Sequence, residues 1–146
     1  MFRHILFATD GSAASENAAQ LAVQLARVHS ARLTALYVID PYPYLGIGEA
    51  NPRGYQTYMA AATQQAAEAQ GKVRALCEQE EPKVTFDTRL VENVGAAPGI
   101  VEAARRTGAD LVVVGSRGRS GVARLMLGSV AAKVVAESPV PVLVAR

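Results

Sequence analysis

Five short apolar runs alternate with four longer amphipathic stretches along this chain of 146 residues. The runs have the length and β-branched content of buried strands, and they cover residues 5–9, 32–39, 83–91, 110–114 and 140–145. Apolar residues at three- and four-residue spacing predict helices over residues 15–29, 55–80, 97–107 and 129–137. We expect the Ser12 hydroxyl to cap the first helix. Alternating strands and helices of this kind favour an α/β fold, a five-stranded parallel sheet with helices on both faces.

The strand order limits where a ligand can bind. Right-handed crossovers leave few topologies, and we expect a Rossmann-like sheet of order 3-2-1-4-5. Its winding direction reverses between the first and fourth strands, and ligands bind at the carboxyl ends of strands beside such a reversal. Those ends carry Asp10 and Gly115 here. Because no repeat or linker interrupts the pattern, we also expect a single domain over residues 1–146.

Composition excludes several classes of function. A formal net charge of +2 is too small to indicate a nucleic-acid partner. The single cysteine, Cys77, rules out an internal disulfide and a cysteine-based zinc site, and its helical context predicts a packing role. No run approaches the ~20 apolar residues of a membrane span, and the first residues lack the features of a signal peptide. We therefore expect a cytoplasmic protein without a membrane partner.

A glycine-rich segment joins the fourth strand to the last helix. It begins with Gly115-Ser116-Arg117-Gly118 and ends with Gly128-Ser129. Backbone N–H groups in such a loop and at the helix start can point at an anion, and the helix dipole favours negative charge there. The guanidinium groups of Arg117, Arg119 and Arg124 can hold phosphate oxygens. The pattern predicts a phosphate site, although glycines at strand ends also serve simply to make turns.

The segment from residue 40 to residue 58 differs from the rest of the chain. It contains three prolines, three glycines and four of the five tyrosines, so its first part cannot be regular helix or central strand. Tyrosine favours interfaces, and exposed loops often carry function. The segment is expected to be a mobile lid or a partner surface, or else a loop whose tyrosines cover the sheet edge.

The chain resembles the ATP-binding subgroup of the universal stress protein family over essentially its whole length. The nucleotide motif of that family, Gly-x2-Gly-x9-Gly-[Ser/Thr], is matched by Gly115, Gly118, Gly128 and Ser129. Further matching segments cover residues 5–12, 36–40, 108–118 and 138–144. One departure is the segment 94–99, which is richer in Gly and Ala than the family pattern.

The resemblance implies a set of binding residues. The backbones of Gly115 and Gly118 would lie along the ribose and phosphates, and residues 128–130 would hold the β- and γ-phosphates. Asp10 would face the ribose, unless it only forms a turn, and the Val38 backbone would meet the adenine edge, unless Val38 is a plain core residue. The full set implied by the resemblance is Thr9, Asp10, Val38, Gly115, Ser116, Arg117, Gly118, Gly128, Ser129 and Val130.

The resemblance also implies a ligand and an assembly. The ligand would be ATP, AMP or ADP, and Mg²⁺ or Mn²⁺ would accompany a triphosphate, held mainly by phosphate oxygens and water. Family members form homodimers through the strand that corresponds to the last run, from Val140 to Ala145. That run is short and apolar and is expected at a sheet edge, where unpaired backbone groups favour association. Pro141 lacks a donor and limits such pairing to a short contact.

Catalysis is not indicated by the sequence. The chain lacks the Gly-x4-Gly-Lys-[Ser/Thr] loop and has no Gly-x-Gly-x-x-Gly after its first strand. We expect His4 and His29 to lie away from the site and Lys133 to be solvated, and no catalytic residue or metal ligand can be assigned. The leading interpretation is an ATP-binding regulatory protein of the stress response that acts through conformational or assembly change. The alternatives are a slow ATPase or phosphotransfer protein and an interaction scaffold that binds no nucleotide.

Overall fold

A computed structural model describes residues 1–42, 52–117 and 127–146. Within these ranges the strands are β1 His4–Ala8, β2 Arg32–Ile39, β3 Phe86–Glu92, β4 Leu111–Gly115 and β5 Val142–Ala145. The helices are α1 Glu16–His29, α2 Pro52–Gln79, α3 Ala96–Thr107 and α4 Ser129–Glu137, with a 3₁₀ turn at Ala13–Ser15 before α1. The strands form one parallel sheet of order β3-β2-β1-β4-β5. This confirms the predicted fold class and strand order.

The core consists of two layers, one on each face of the sheet. On one face, Ile5, Phe7 and Leu33 pack in a cluster with residues of α1 and α2. On the other face, Leu6 and Leu36 pack with residues of α3 and α4. The helices contribute mostly alanine to both layers, which lets them approach the sheet closely. The winding reversal therefore falls between β1 and β4, as the sequence predicts.

The longest helix, α2, packs through a narrow stripe of small residues. Its buried side chains are Ala62, Ala66, Ala69, Val73 and Cys77. Burial raises the pKa of the Cys77 thiol to about 11, in agreement with the predicted packing role. Gly71 does not interrupt the helix. No helix in the described ranges is both long enough and apolar enough to cross a membrane.

Three element boundaries differ from the prediction by more than one residue. Helix α2 begins at Pro52 rather than residue 55, because proline is well tolerated in a first helical turn. Strand β3 begins at Phe86 rather than residue 83. The last strand begins at Val142 rather than Val140, because Pro141 has no N–H to donate and contributes only its carbonyl, which accepts from the Val112 N–H at 3.0 Å.

The predicted role of Ser12 as a side-chain cap is wrong. Its hydroxyl makes no capping hydrogen bond and instead donates to the Asp10 carboxylate at 2.5 Å. Before α1, it is the Ser12 carbonyl that makes the hydrogen bonds. It accepts from the Ser15 N–H at 3.1 Å and from the Ser15 hydroxyl at 2.8 Å. A hydroxyl already committed to a neighbouring carboxylate is directed away from the helix end.

Asp110 ties the start of β1 to the start of β4. Its carboxylate accepts from the Arg3 N–H at 2.9 Å and from the His4 N–H at 3.0 Å, while its own N–H donates to the His4 carbonyl at 2.9 Å. Burial raises the pKa of the Asp110 carboxyl, but the hydrogen bonds from Arg3 and His4 outweigh it and hold that pKa below its ordinary value of 3.8.

Replacing Asp110 with alanine is expected to lower the free energy of unfolding by about 1–2 kcal/mol, after discounting for partial exposure. Because the folded-state pKa is depressed, the stabilisation is complete above a pH of about 4 and is lost as the pH falls through the folded pKa. Urea unfolding of the wild type and of Asp110→Ala at pH 7 and pH 3 measures both effects. A difference in stability that does not shrink at pH 3 would contradict this account.

Candidate functional site

A cavity of about 340 Å³ opens at the carboxyl ends of β1, β2 and β4. Its size lies within the range of small-molecule sites, which is ~300–1,000 Å³. The first turns of α3 and α4 complete its walls. The structure brings nine of the ten predicted binding residues to this cavity: Thr9, Asp10, Val38, Gly115, Ser116, Arg117, Gly128, Ser129 and Val130. Gly118, the tenth, lies outside the described residues, as do Arg119 and Arg124.

The loop after β1 holds Asp10 against the cavity by local hydrogen bonds. One Asp10 carboxylate oxygen accepts from the Ser12 N–H at 2.9 Å and from the Ser12 hydroxyl. Gly11 has a φ of +76°, which favours glycine, and a Cβ there would lie 3.3 Å from the Cβ of Ala69 in α2. Asp10 therefore forms a turn and also lines the cavity, so the two interpretations of this residue do not exclude each other.

Two buried hydroxyl groups support this loop from within. Thr9 and Ser15 are each only 7% exposed, and their oxygens lie 3.4 Å apart. Thr9 Oγ1 accepts from the Gly11 N–H at 3.1 Å, while the Ser15 hydroxyl donates to the Ser12 carbonyl. Because the Ser15 hydrogen is already used, the Thr9 hydroxyl is the donor in its bond with the Ser15 oxygen. Ser15 also lines the cavity, and nothing in its sequence context distinguishes it from an ordinary serine at a helix start.

The start of α4 presents backbone donors at the cavity wall. The N-cap residue is Gly128, with φ −61° and ψ 155°, and it has no side chain that could accept from the first turn. Its own N–H donates to the Ser116 carbonyl at 2.7 Å, and its carbonyl accepts from the Ala132 N–H at 2.9 Å. The remaining first-turn N–H groups belong to residues 129–131, all of which line the cavity. A ligand anion would meet these donors and the positive end of the helix dipole.

Gly115 brings the loop after β4 close to the strand end. A Cβ at this position would lie 3.3 Å from the Arg117 carbonyl oxygen and 3.7 Å from that of Ala14. The next residue, Ser116, is 7% exposed, and its N–H donates to the Ala145 carbonyl at 2.7 Å. A side chain at Gly115 would therefore displace the segment that carries Arg117.

Val38 presents its backbone to the same space. The last β1–β2 pair is Ala8 with Leu36, so Val38 would be opposite Asp10, where β1 has already ended. The Leu36 carbonyl accepts from Thr9 on the β1 side, and the Ile39 carbonyl accepts from Asn93 on the β3 side. Because successive residues of a strand point their backbone groups to opposite sides, the N–H and C=O of Val38 point toward the β1 side. The N–H donor and the C=O acceptor of Val38 therefore lie side by side at the cavity wall.

The sequence did not predict the apolar end of the cavity or its rim. Ala96 and Ile100 of α3 and Val114 of β4 line the cavity together with Val38. Asp40 also lines it, and the Asp40 carbonyl accepts from the Tyr58 hydroxyl at 2.8 Å. The ring of Tyr42 contacts Tyr58, with a distance of 5.3 Å between centroids. The predicted lid or partner surface depends largely on residues 43–51, which lie outside the described residues.

The histidines lie at the opposite end of the sheet, near the amino ends of the strands. The Thr34 hydroxyl donates to Asp87 at 2.5 Å, so its hydrogen bond with His4 Nε2, at 2.7 Å, requires His4 to be the donor. Burial, followed by the charge of Arg32, lowers the pKa of His4 and favours its neutral form. His29 packs edge-on against Phe2. Lys133 is exposed on α4 and is not among the residues that line the cavity.

Comparison with known proteins assigns this chain to a family. The model of the universal stress protein family matches residues 1–146. The chain belongs to this family. A universal stress protein of Thermus aquaticus is 37% identical over 147 aligned positions, which cover all of both chains.

Solved structures of the family show the same fold. The universal stress protein UspA of Lactobacillus plantarum superposes with a TM-score of 0.78 at 27% identity, over 99% of this chain and 97% of that one. A universal stress protein solved in complex with cAMP superposes with a TM-score of 0.62 at 27% identity, with the same coverage. The five-stranded sheet and its order are therefore those of the family.

Replacing Thr9 with valine should loosen the loop that carries Asp10, since valine has the same shape but cannot accept from the Gly11 N–H. Because Gly11 is exposed, its freed N–H can bond to water, and losing this part-buried hydrogen bond should cost about 0.5–1.5 kcal/mol of unfolding free energy. Chemical denaturation of Thr9→Val measures this cost, with Thr107→Val as a control at a hydroxyl that bonds within α3. A stability equal to that of the wild type would show that the Thr9 hydroxyl does not hold the loop.

Proposed function

We propose that this universal stress protein binds an adenine nucleotide in the cavity, with ATP as the preferred ligand, and that binding shifts a conformational or assembly equilibrium. The start of α4 carries the proposal. Its N-cap is a glycine, so no side chain competes for the first-turn N–H groups, and residues 128–131 all line the cavity. Arg117 adds a positive charge to the same wall. An uncapped helix start, an arginine and a cavity together suit a chain of phosphates.

The opposite end of the cavity suits a base. Val38, Ala96 and Ile100 provide aliphatic walls, and the Val38 backbone provides a donor beside an acceptor. Adenine has an acceptor at N1 beside a donor at its exocyclic amine, so its edge complements this pair. Guanine presents a donor at N1 and an acceptor at O6, so in the same pose both contacts would be mismatched. We therefore propose adenine as the base.

The middle of the site suits the sugar. Asp10 lies between the two ends, and its carboxylate is fixed by Ser12. A carboxylate is a good acceptor for ribose hydroxyls. The cAMP complex of a family member that is 27% identical supports an adenine nucleotide as the ligand class. In this proposal Mg²⁺ or Mn²⁺ would be held by phosphate oxygens and water.

Binding rather than turnover fits the chemistry of the described cavity wall. Its charged side chains within the described residues are Asp10, Asp40 and Arg117. Asp10 is engaged with Ser12, and both histidines lie at the far end of the sheet. Fast hydrolysis would need a group that orients or deprotonates water near the γ-phosphate. We propose that the protein acts as a single regulatory domain whose output is the nucleotide-bound state.

Replacing Gly128 with aspartate should abolish phosphate binding and leave the fold intact. The backbone angles suit any residue, and the new carboxylate would accept from the first-turn N–H groups and repel phosphate. We expect ATP affinity to fall by about a hundredfold or more, equivalent to about 2.7 kcal/mol. Isothermal titration calorimetry of both proteins measures the change.

A matched control for this substitution exists in the same chain. Gly95 is the N-cap of α3, with φ −65° and ψ 156°, and it is not among the cavity-lining residues. Gly95→Asp adds the same charge at an equivalent helix position and should retain ATP affinity. If Gly128→Asp binds ATP as the wild type does, the phosphates do not lie at α4. If the wild type itself binds no adenine nucleotide, the proposed function is wrong.

We further propose a homodimer through β5. This strand lies at an edge of the sheet, and Val142, Leu143 and Val144 are only partly buried. Val135 of α4 is 49% exposed. An apolar edge with unpaired backbone groups favours pairing with a second edge. Light scattering at a few tens of micromolar should give twice the chain mass of 15.4 kDa, and a monomer mass would contradict the dimer.

A further inference from the structure

Gly99 in α3 occupies a position where even a methyl side chain would be crowded. A Cβ there would lie 3.0 and 3.1 Å from the two γ-carbons of Val38 and 3.1 Å from a γ-carbon of Val94. Ordinary van der Waals contact between carbon atoms begins near 3.5 Å. A methyl group at this position therefore forces the valines or the helix to move. Gly71 is different, because a Cβ there would meet nothing within 4 Å.

The residues that would move belong to the apolar end of the cavity. Val38 lines the cavity from β2, while Ala96 and Ile100 line it from α3. Ala96, Gly99 and Ile100 are spaced at i, i+3 and i+4 along α3. Residues with this spacing share one face of a helix, here the face that packs on the sheet. The distance between α3 and β2 at Gly99 therefore sets the width of the space between Val38 and the helix.

Nothing else about the position of Gly99 explains why it is a glycine. It belongs to the Gly- and Ala-rich segment 94–99. A glycine inside a helix destabilises it by about 0.5–1 kcal/mol relative to alanine. Gly99 is buried and has an ordinary helical φ, so neither backbone conformation nor exposure explains the glycine. The close approach of α3 to Val38 explains it.

We propose that Gly99 is a specificity-determining residue that sets the position of Val38 and so controls whether the base of an adenine nucleotide can bind. The inference depends on the proposed function of the cavity. A side chain at Gly99 would push Val38 toward the base or move α3 outward. Either change would displace the Val38 donor and acceptor relative to the walls formed by Ala96 and Ile100. The phosphate donors lie on another element, the start of α4, and should be affected much less.

The test compares a whole nucleotide with its phosphate part alone. Affinities for ATP and for inorganic tripolyphosphate are measured by calorimetry on the full chain. Gly99→Ala should weaken ATP binding by about tenfold or more, as overpacking displaces Val38, and should change tripolyphosphate affinity by less than about twofold. Gly95→Ala is the matched control, because its Cβ would meet only Pro98 at 3.6 Å, and it should leave both affinities unchanged.

A double variant identifies Val38 as the residue through which Gly99 acts. Val38→Ala removes the two Val38 γ-carbons that the new methyl group would meet, so adding Gly99→Ala to Val38→Ala should lower ATP affinity by less than about twofold, unlike its effect in the wild type. The double variant also covers the case in which Gly99→Ala alone fails to fold, since two of the three close contacts are removed and only the one with Val94 remains. A double variant that fails to fold, or one that folds but binds ATP about tenfold more weakly than Val38→Ala alone, would overturn the assignment to Val38.

The remaining outcomes separate the inference from the proposed function. Unchanged ATP affinity in Gly99→Ala would overturn the inference while the nucleotide site stands. An equal loss for ATP and tripolyphosphate would also overturn it, because general damage to the cavity would explain the result. A wild type that binds neither ligand would instead refute the proposed function.

Discussion

Strand β1 ends at Ala8, while the strands on both sides of it continue. Strand β2 extends to Ile39 and β4 to Gly115, so a gap opens between them beyond the last β1 pair. The cavity occupies this gap. The chain leaves the sheet there because Gly11 takes up a left-handed conformation and the Asp10 carboxylate accepts from Ser12 in the turn that follows. The early end of the central strand is thus the constraint from which the site follows.

The packing of the helices determines what the gap can hold. Alanine-rich faces let the helices lie close to the sheet, and the absence of a side chain at Gly99 lets α3 approach Val38 of β2. Helix α4 instead presents its start to the gap, with Gly128 at its N-cap. One end of the cavity is therefore apolar, and the other end offers N–H donors and an arginine. This asymmetry is the physical reason for proposing a ligand with a base at one end and phosphates at the other.

Much of this arrangement could be predicted from the sequence, because it depends on local patterns. Short apolar runs located the strands, and the crossover rules located the reversal between Asp10 and Gly115. The features that were missed depend on tertiary contacts. Ser12 has the sequence context of a helix cap, but the Asp10 carboxylate takes its hydroxyl. Ser15, Asp40 and Ala96 reach the cavity only because of where the chain folds. From sequence alone, a glycine within a helix predicts only a less stable helix. The reason for Gly99 appears only when the position of Val38 is known.

The central claim is that the first turn of α4 holds the phosphates while β2 meets the base. Backbone amide NMR during titration tests both parts in one experiment. On addition of ATP we expect the largest shift changes at the amides of residues 129–131 and at Val38. Tripolyphosphate should reproduce the changes at α4 and leave Val38 unmoved. Shift changes that avoid α4, or that are the same at Val38 with either ligand, would contradict the account.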